Sequence, residues 1–151
     1  MLFKLMRVPD ANGLDKVEAM KQTYYKLCLD CLVILGGNGT QKTANLLREE
    51  GLNIIHLPKT IDNDIWGTDM TFGFQSAVNI ATTFSMSYGI SGIGAGAAEA
   101  ILDGEYGIMI GIVNGKIKRV PLEECAGKLK MVSPKDQTVK AAKQIGISFG
   151  D

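Results

Sequence analysis

The chain has 151 residues, of which 46% are hydrophobic and 21% charged, and sixteen basic residues balance sixteen acidic ones. That is enough apolar material for one domain. The zero formal net charge argues against a general nucleic-acid or membrane-surface binder, each of which gathers excess Lys and Arg.

The elements are read in chain order. Leu14, Val17, Met20, Tyr24 and Leu27 recur at three- and four-residue spacing after Asn12-Gly13 and predict a helix. Leu29–Leu35 is an almost continuous apolar run, as for a strand covered on both faces. Gly36-Gly37-Asn38-Gly39 breaks it, and Thr40 is predicted to cap a helix over Gln41–Glu50 that stops at Gly51. Asn53–Leu57 is a second buried strand, with His56 at its end. Pro58–Asp64 is a loop, and Gly73 to about Phe84 is a helix. Gly89–Gly96 is a glycine-rich stretch, followed by a helix over Ala97–Leu102. Tyr106–Val113 and Lys116–Val120 form a hairpin across Asn114-Gly115, a strong two-residue turn signal. Pro121 opens a helix with Glu123 and Glu124 in its first turn, and a last helix spans Lys135–Ile145 before Gly146. The longest apolar runs are strand-sized, short of the roughly 20 residues of a membrane span. Three cysteines and a start without a signal-peptide pattern point to a reducing cytoplasm.

Strands alternating with helices imply a parallel sheet joined by right-handed crossovers, with ligands at the carboxyl ends of the strands. Both unusual loops, Gly36–Thr40 and Pro58–Asp64, fall at that edge. In the first, glycines let a phosphate approach the backbone, and the following helix presents free amides and its positive end. An ordinary strand-to-helix turn is the alternative, and no Gly-Lys-Ser/Thr makes it a Walker loop. In the second, Lys59, Thr60, Asp62, Asn63 and Asp64 crowd one bend. A carboxylate there could take a proton from a hydroxyl, and a lysine could neutralise phosphate charge. A solvated, self-capped turn is the alternative.

Gly36-Gly37-Asn38-Gly39-Thr40, then Pro58-Lys59-Thr60-Ile61-Asp62-Asn63-Asp64, then Gly67-Thr68-Asp69-Met70-Thr71-Phe72-Gly73-Phe74 resembles the phosphofructokinase family in its long bacterial type, in motif order and spacing. The resemblance runs from about Arg7 to Thr82 and again from about Gly92 to Asp151. It implies an α/β fold with a three-layer parallel sheet and helices on both faces, incomplete, ending in a hairpin and helices. It implies glycolytic phosphoryl transfer from ATP to the 1-hydroxyl of fructose 6-phosphate, with Mg2+. By position, Asp62 would be the general base, and Thr60 and Ile61 would contact the sugar phosphate. Asp64 would hold the loop and help organise metal and base. Gly36, Gly37, Asn38, Gly39, Thr40 and Lys59 would line the donor phosphates. The family usually carries aspartate where Asn38 stands, near the metal; asparagine is a neutral and weaker ligand. Glycine at 39 leaves room for ATP, whereas Lys59 is common in pyrophosphate-using members, so pyrophosphate is the alternative donor.

Family members are well over twice this length. The resemblance implies a single incomplete domain over 1–151, lacking the N-terminal strand and the middle of the family chain, with an internal junction near 84–91. The chain alone is therefore expected to turn over weakly or not at all. A non-catalytic nucleotide-binding or assembly remnant is the alternative function, and a homo-oligomer is expected because the missing middle would leave apolar surface uncovered. Gly92-Ile93-Gly94-Ala95-Gly96 fits a dinucleotide fingerprint only loosely, with no strand before it, and reads as close helix packing. Cys28 and Cys31 lack the further ligands a zinc site needs and read as core residues.

Overall fold

A computed structural model describes Pro9, Gly13 and residues 15–77 and 89–146. Helix α1 (Lys16–Lys26) starts where the Asp15 carboxylate accepts the Glu18 amide at 2.7 Å, and it buries Val17 and Tyr24 two turns apart. Strand β1 (Leu32–Gly36) leads directly into α2 (Asn38–Glu49). That helix ends on Gly51 at φ 87°, where Gly51 N–H donates to Arg48 O and Leu52 N–H to Leu47 O, a Schellman closure. Next come β2 (Ile54–Thr60) and the two-residue β3 (Phe72–Gly73), after which residues 74–77 are helical. Helix α3 (Gly89–Leu102), strands β4 (Ile108–Val113) and β5 (Lys116–Pro121), a single helical turn α4 (Leu122–Cys125) and α5 (Gln137–Gln144) complete the described chain.

The sheet runs β1-β2-β4-β5, with β3 pairing beside the end of β2. β1 and β4 both lie parallel to β2, and only β5 turns back, through Asn114 at φ 53° and Gly115 at φ 71°. Both turn residues carry positive φ, which is what the Asn-Gly signal demands. One core joins α1, α2 and α4 to one sheet face through Val17, Tyr24, Leu47, Ile54, Met109 and Leu122. The other joins α3 to the opposite face through Ile55, Leu57, Ile93, Ala97 and Ile110. The result is the expected three-layer α/β arrangement.

Four expectations change. Strand β1 is not covered on both faces: Leu32 and Ile34 pack on the α2 side, while Val33 and Leu35 remain 41% and 54% exposed. Strand β2 runs on through Pro58 to Thr60, so His56 lies inside it and not at its end. Pro121 closes β5, and the helix behind it is only four residues long. The glycine-rich stretch is itself helical from Gly89. Gly96 is needed there for close approach, because a Cβ would lie 2.9 Å from Ile117 Cγ2 and 3.0 Å from Ile110 Cγ2. Strand-turn-helix geometry for a dinucleotide is therefore absent at 92–96. The expected helix beyond residue 77, most of the junction near 84–91 and the closing Ile147–Asp151 lie outside the described residues.

Gly94 and Gly96 make a paired test, since nothing lies within 4 Å of a Cβ at Gly94. Gly94→Ala should raise stability by about 0.5–1 kcal/mol through helix propensity. Gly96→Ala should lose that gain to overpacking of about 1–3 kcal/mol and melt below the parent. Thermal unfolding of both variants gives the order.

Candidate functional site

The parallel ladder sets Gly36 opposite Pro58 at the carboxyl ends of β1 and β2. Both unusual loops therefore leave the sheet side by side. A Cβ on Gly37 would stand 3.5 Å from Lys59 O and 3.9 Å from Thr60 Cβ, so the two turns face each other across little more than the width of a methyl group. Gly36 has no room for a side chain, because Thr40 Cβ would lie 2.6 Å from a Cβ there.

The sequence predicts Thr40 as the cap of α2, and the structure does not place it there. The helix begins three residues earlier than expected, with Gly37 at the N-cap and no side chain bonded there. The first intrahelical bond is Gln41 N–H to Gly37 O at 2.9 Å. The amides of Asn38, Gly39 and Thr40 precede it and have no helical acceptor, the arrangement that binds anions at a helix start. Nothing lies within 4 Å of a Cβ at exposed Gly39, so the space in front of it is open. Asn38 Oδ1 is buried and makes no hydrogen bond.

In the second turn the Thr60 hydroxyl accepts the Asp62 amide at 3.1 Å and stands 3.5 Å from Asp62 Oδ2. Ile61 and Asp62 are exposed at the tip, and Lys59 is exposed beside it. The loop is held by Asn63, at φ 52°, whose amide donates to Asp69 O and whose carbonyl accepts from Thr71 N–H, each at 3.0 Å. The Thr71 hydroxyl donates to Thr60 O at 2.7 Å. Asp64, expected to hold the loop, contributes its backbone carbonyl, which accepts from Lys130 N–H at 2.8 Å; its side chain makes no hydrogen bond among the described residues.

The sequence model of the family described as Phosphofructokinase matches residues 3–91, more than half of the chain. The chain belongs to the phosphofructokinase family. It is 73% identical over 70 residues to an ATP-dependent 6-phosphofructokinase of Spirochaeta thermophila, covering 46% of this chain and 19% of that protein. It is 58% identical over 71 residues to ATP-dependent 6-phosphofructokinase 3 of Bacteroides thetaiotaomicron, covering 47% and 21%. A pyrophosphate–fructose 6-phosphate 1-phosphotransferase of Amycolatopsis mediterranei matches at 44% over 71 residues, covering 47% and 20%. The chain thus spans about a fifth of the length of the curated relatives it matches. The family match stops at residue 91 and does not reach the stretch from Gly92 onward.

Among phosphofructokinase site residues read from sequence, the structure brings Gly36, Gly37, Thr60 and the Asp62 bend to one rim, with Asn38 opening α2 beside them. For Mg2+, one fit can be tested. Asn38 Oδ1 is a buried acceptor lacking a donor. Magnesium keeps several waters and takes few protein oxygens, so a single neutral oxygen is compatible with it. Among the described residues no group of three His, Cys, Asp or Glu could hold a metal unaided.

Sequence reasoning missed the scaffold. The Thr68 hydroxyl donates to Met70 O at 2.7 Å and accepts the Ile112 amide at 2.9 Å. Asp69 Oδ2 accepts the Asn114 amide at the hairpin turn. His56 is fully buried, with Nε2 3.1 Å from Gly36 O. Burial lowers its pKa to about 4 against the opposing pull of that bond. The one local signal was Asn63, a residue type that tolerates positive φ in tight turns.

Asn63→Ala removes two loop bonds and puts at positive φ a residue that tolerates that region less readily than asparagine. It should cost about 1–3 kcal/mol in urea unfolding. The folded state keeps His56 neutral down to about pH 4, while the unfolded chain binds that proton near pH 6.5. Its stabilisation is therefore complete above pH 6.5 and lost as pH falls toward 4. Between pH 7 and 4.5 the parent should lose about 2–3 kcal/mol more than His56→Gln. Equal losses would contradict the buried neutral ring.

Proposed function

We propose that this chain carries the phosphoryl-transfer rim of a 6-phosphofructokinase, in which ATP donates to the 1-hydroxyl of fructose 6-phosphate in glycolysis. The observation that carries the reading is the closeness of the two turns: a Cβ on Gly37 would meet Lys59 O at 3.5 Å. Phosphoryl transfer depends on positioning and charge stabilisation more than on covalent chemistry. A donor phosphate held by the amides after Gly37 lies within reach of a carboxylate at Asp62.

In this reading Gly36, Gly37, Asn38, Gly39 and Thr40 surround the donor phosphates, and Lys59 neutralises their charge. Thr60 and Ile61 meet the sugar phosphate. Asp62 accepts the proton of the attacking hydroxyl, and Asp64 supports that bend. Asn38 Oδ1 would hold Mg2+ together with phosphate oxygens. Bound magnesium would draw charge from the phosphates. The open space at Gly39 favours ATP over pyrophosphate. The relatives at 73% and 58% identity, both ATP-dependent by name, point the same way. A cytoplasmic setting follows from the glycolytic reading. No helix among the described residues is long and apolar enough to cross a membrane. Association between copies is also part of the reading, supported by the exposed Val33 and Leu35.

A second reading, a nucleotide-binding module without turnover, is favoured by one observation: Asn38 offers only a neutral oxygen where the family usually carries aspartate near the metal. Thermal shift separates the possibilities. Mg·ATP at 100 times its Kd should raise Tm by roughly 5–10 °C. Pyrophosphate should give less. Asp62→Asn should keep the shift, because Asp62 faces the acceptor. Fructose 6-phosphate-dependent ADP release abolished by Asp62→Asn would select the enzyme reading for this chain, and a shift without turnover the module. No shift with either donor would overturn both.

A further inference from the structure

We propose that His56 is a positioning residue for the phosphate turn: its buried ring holds the Gly36 carbonyl and so fixes how the amides of Gly37–Thr40 face the rim. The inference rests on the donor-phosphate reading of that turn.

His56 sits in the middle of β2, opposite Ile34 on β1 and Met109 on β4. Its ring therefore enters the apolar layer beneath α2, among Ile34, Ile54 and Met109. An aliphatic side chain would pack in that layer without burying a polar ring. The ring nevertheless reaches the last peptide before the turn, with Nε2 3.1 Å from Gly36 O. A carbonyl can only accept, so the Nε2 proton donates and the neutral tautomer leaves Nδ1 bare. Nδ1 is indeed buried without a partner.

The turn needs such a hold. Gly36 and Gly37 are consecutive glycines, the residues with the widest backbone freedom. No side chain bonds at the Gly37 N-cap. An anion site made of backbone amides works only if the peptides are already aimed. The hydrogen bond from His56 acts on the peptide that sets that aim. Gln41, in the first turn of α2, is tied to the same layer, where its amide donates to Met109 Sδ at 3.2 Å and Cys125 Sγ at 3.3 Å. The helix start is thus held on one side by Gln41 and the strand end on the other by His56.

The test uses the full chain with His56→Leu, which keeps the layer apolar, and His56→Gln, whose Nε2 can restore the donor. Mg·ATP affinity is measured by calorimetry. Amide hydrogen exchange is followed without ligand at Gln41, whose N–H closes on Gly37 O, with the buried Ala100 of α3 on the opposite sheet face as a distant reference. His56→Leu should bind about five- to tenfold more weakly, and His56→Gln should return to within about twofold. Exchange at Gln41 should quicken in His56→Leu by about tenfold beyond any change at Ala100. A Gln41 amide that quickens no more than Ala100 in His56→Leu would overturn the proposal, as would parental affinity in that variant or a His56→Gln that behaves like it. If the parent binds neither ATP nor pyrophosphate, the donor reading falls. The exchange contrast then decides alone whether His56 holds the turn.

Discussion

Parallel pairing of β1 with β2 aligns Gly36 with Pro58, and the rest of the rim depends on that register. Two strands running the same way deliver their following loops to one edge, and a register fixed by buried side chains leaves little freedom in their separation. Leu32, Ile34, Ile54, Ile55 and Leu57 supply that apolar lock. A slip of one residue would turn His56 away from the Gly36 carbonyl and Ile55 away from α3.

The two turns are held in different ways. The first is set by what glycine permits: Thr40 occupies the space a Cβ would take at Gly36, and the backbone of β2 approaches Gly37 directly. The second is set by hydrogen bonds. Asn63, Thr71 and Thr68 tie the loop to itself and to Ile112, and Lys130 N–H closes on Asp64 O. Gly111 admits this web, because a Cβ there would come within 2.9 Å of Gly67 O. The tip formed by Ile61 and Asp62 stays exposed on a braced base, the arrangement suited to a group that must meet a ligand without being rebuilt by it.

Much of this was legible in the sequence because it is governed by local chemistry. The alternation of strands and helices, the two loops at one edge and the Asn-Gly hairpin all follow from residues near one another in the chain. The exposed face of β1 was not legible, since Leu32–Leu35 reads the same whether one face or two are covered, and only strand order decides. The helical start at Gly89 was hidden because helix propensity disfavours glycine, while packing against Ile110 and Ile117 requires it at Gly96. His56 and Asn63 act on partners 20 and 6 residues away, and their roles depend on how the chain folds back. Thr40 was misread as a cap because its residue type favours that position, whereas Gly37 takes it.

Closeness of the Gly37 turn to the Thr60 bend is the claim on which the functional reading stands. A direct measurement is the nuclear Overhauser effect between the Gly37 α-protons and the Thr60 side chain in isotopically labelled protein. The account predicts a strong cross-peak, because a Cβ at Gly37 would lie 3.9 Å from Thr60 Cβ. Absence of that cross-peak in a spectrum that shows the Leu35–Leu57 pairing of the same two strands would contradict it.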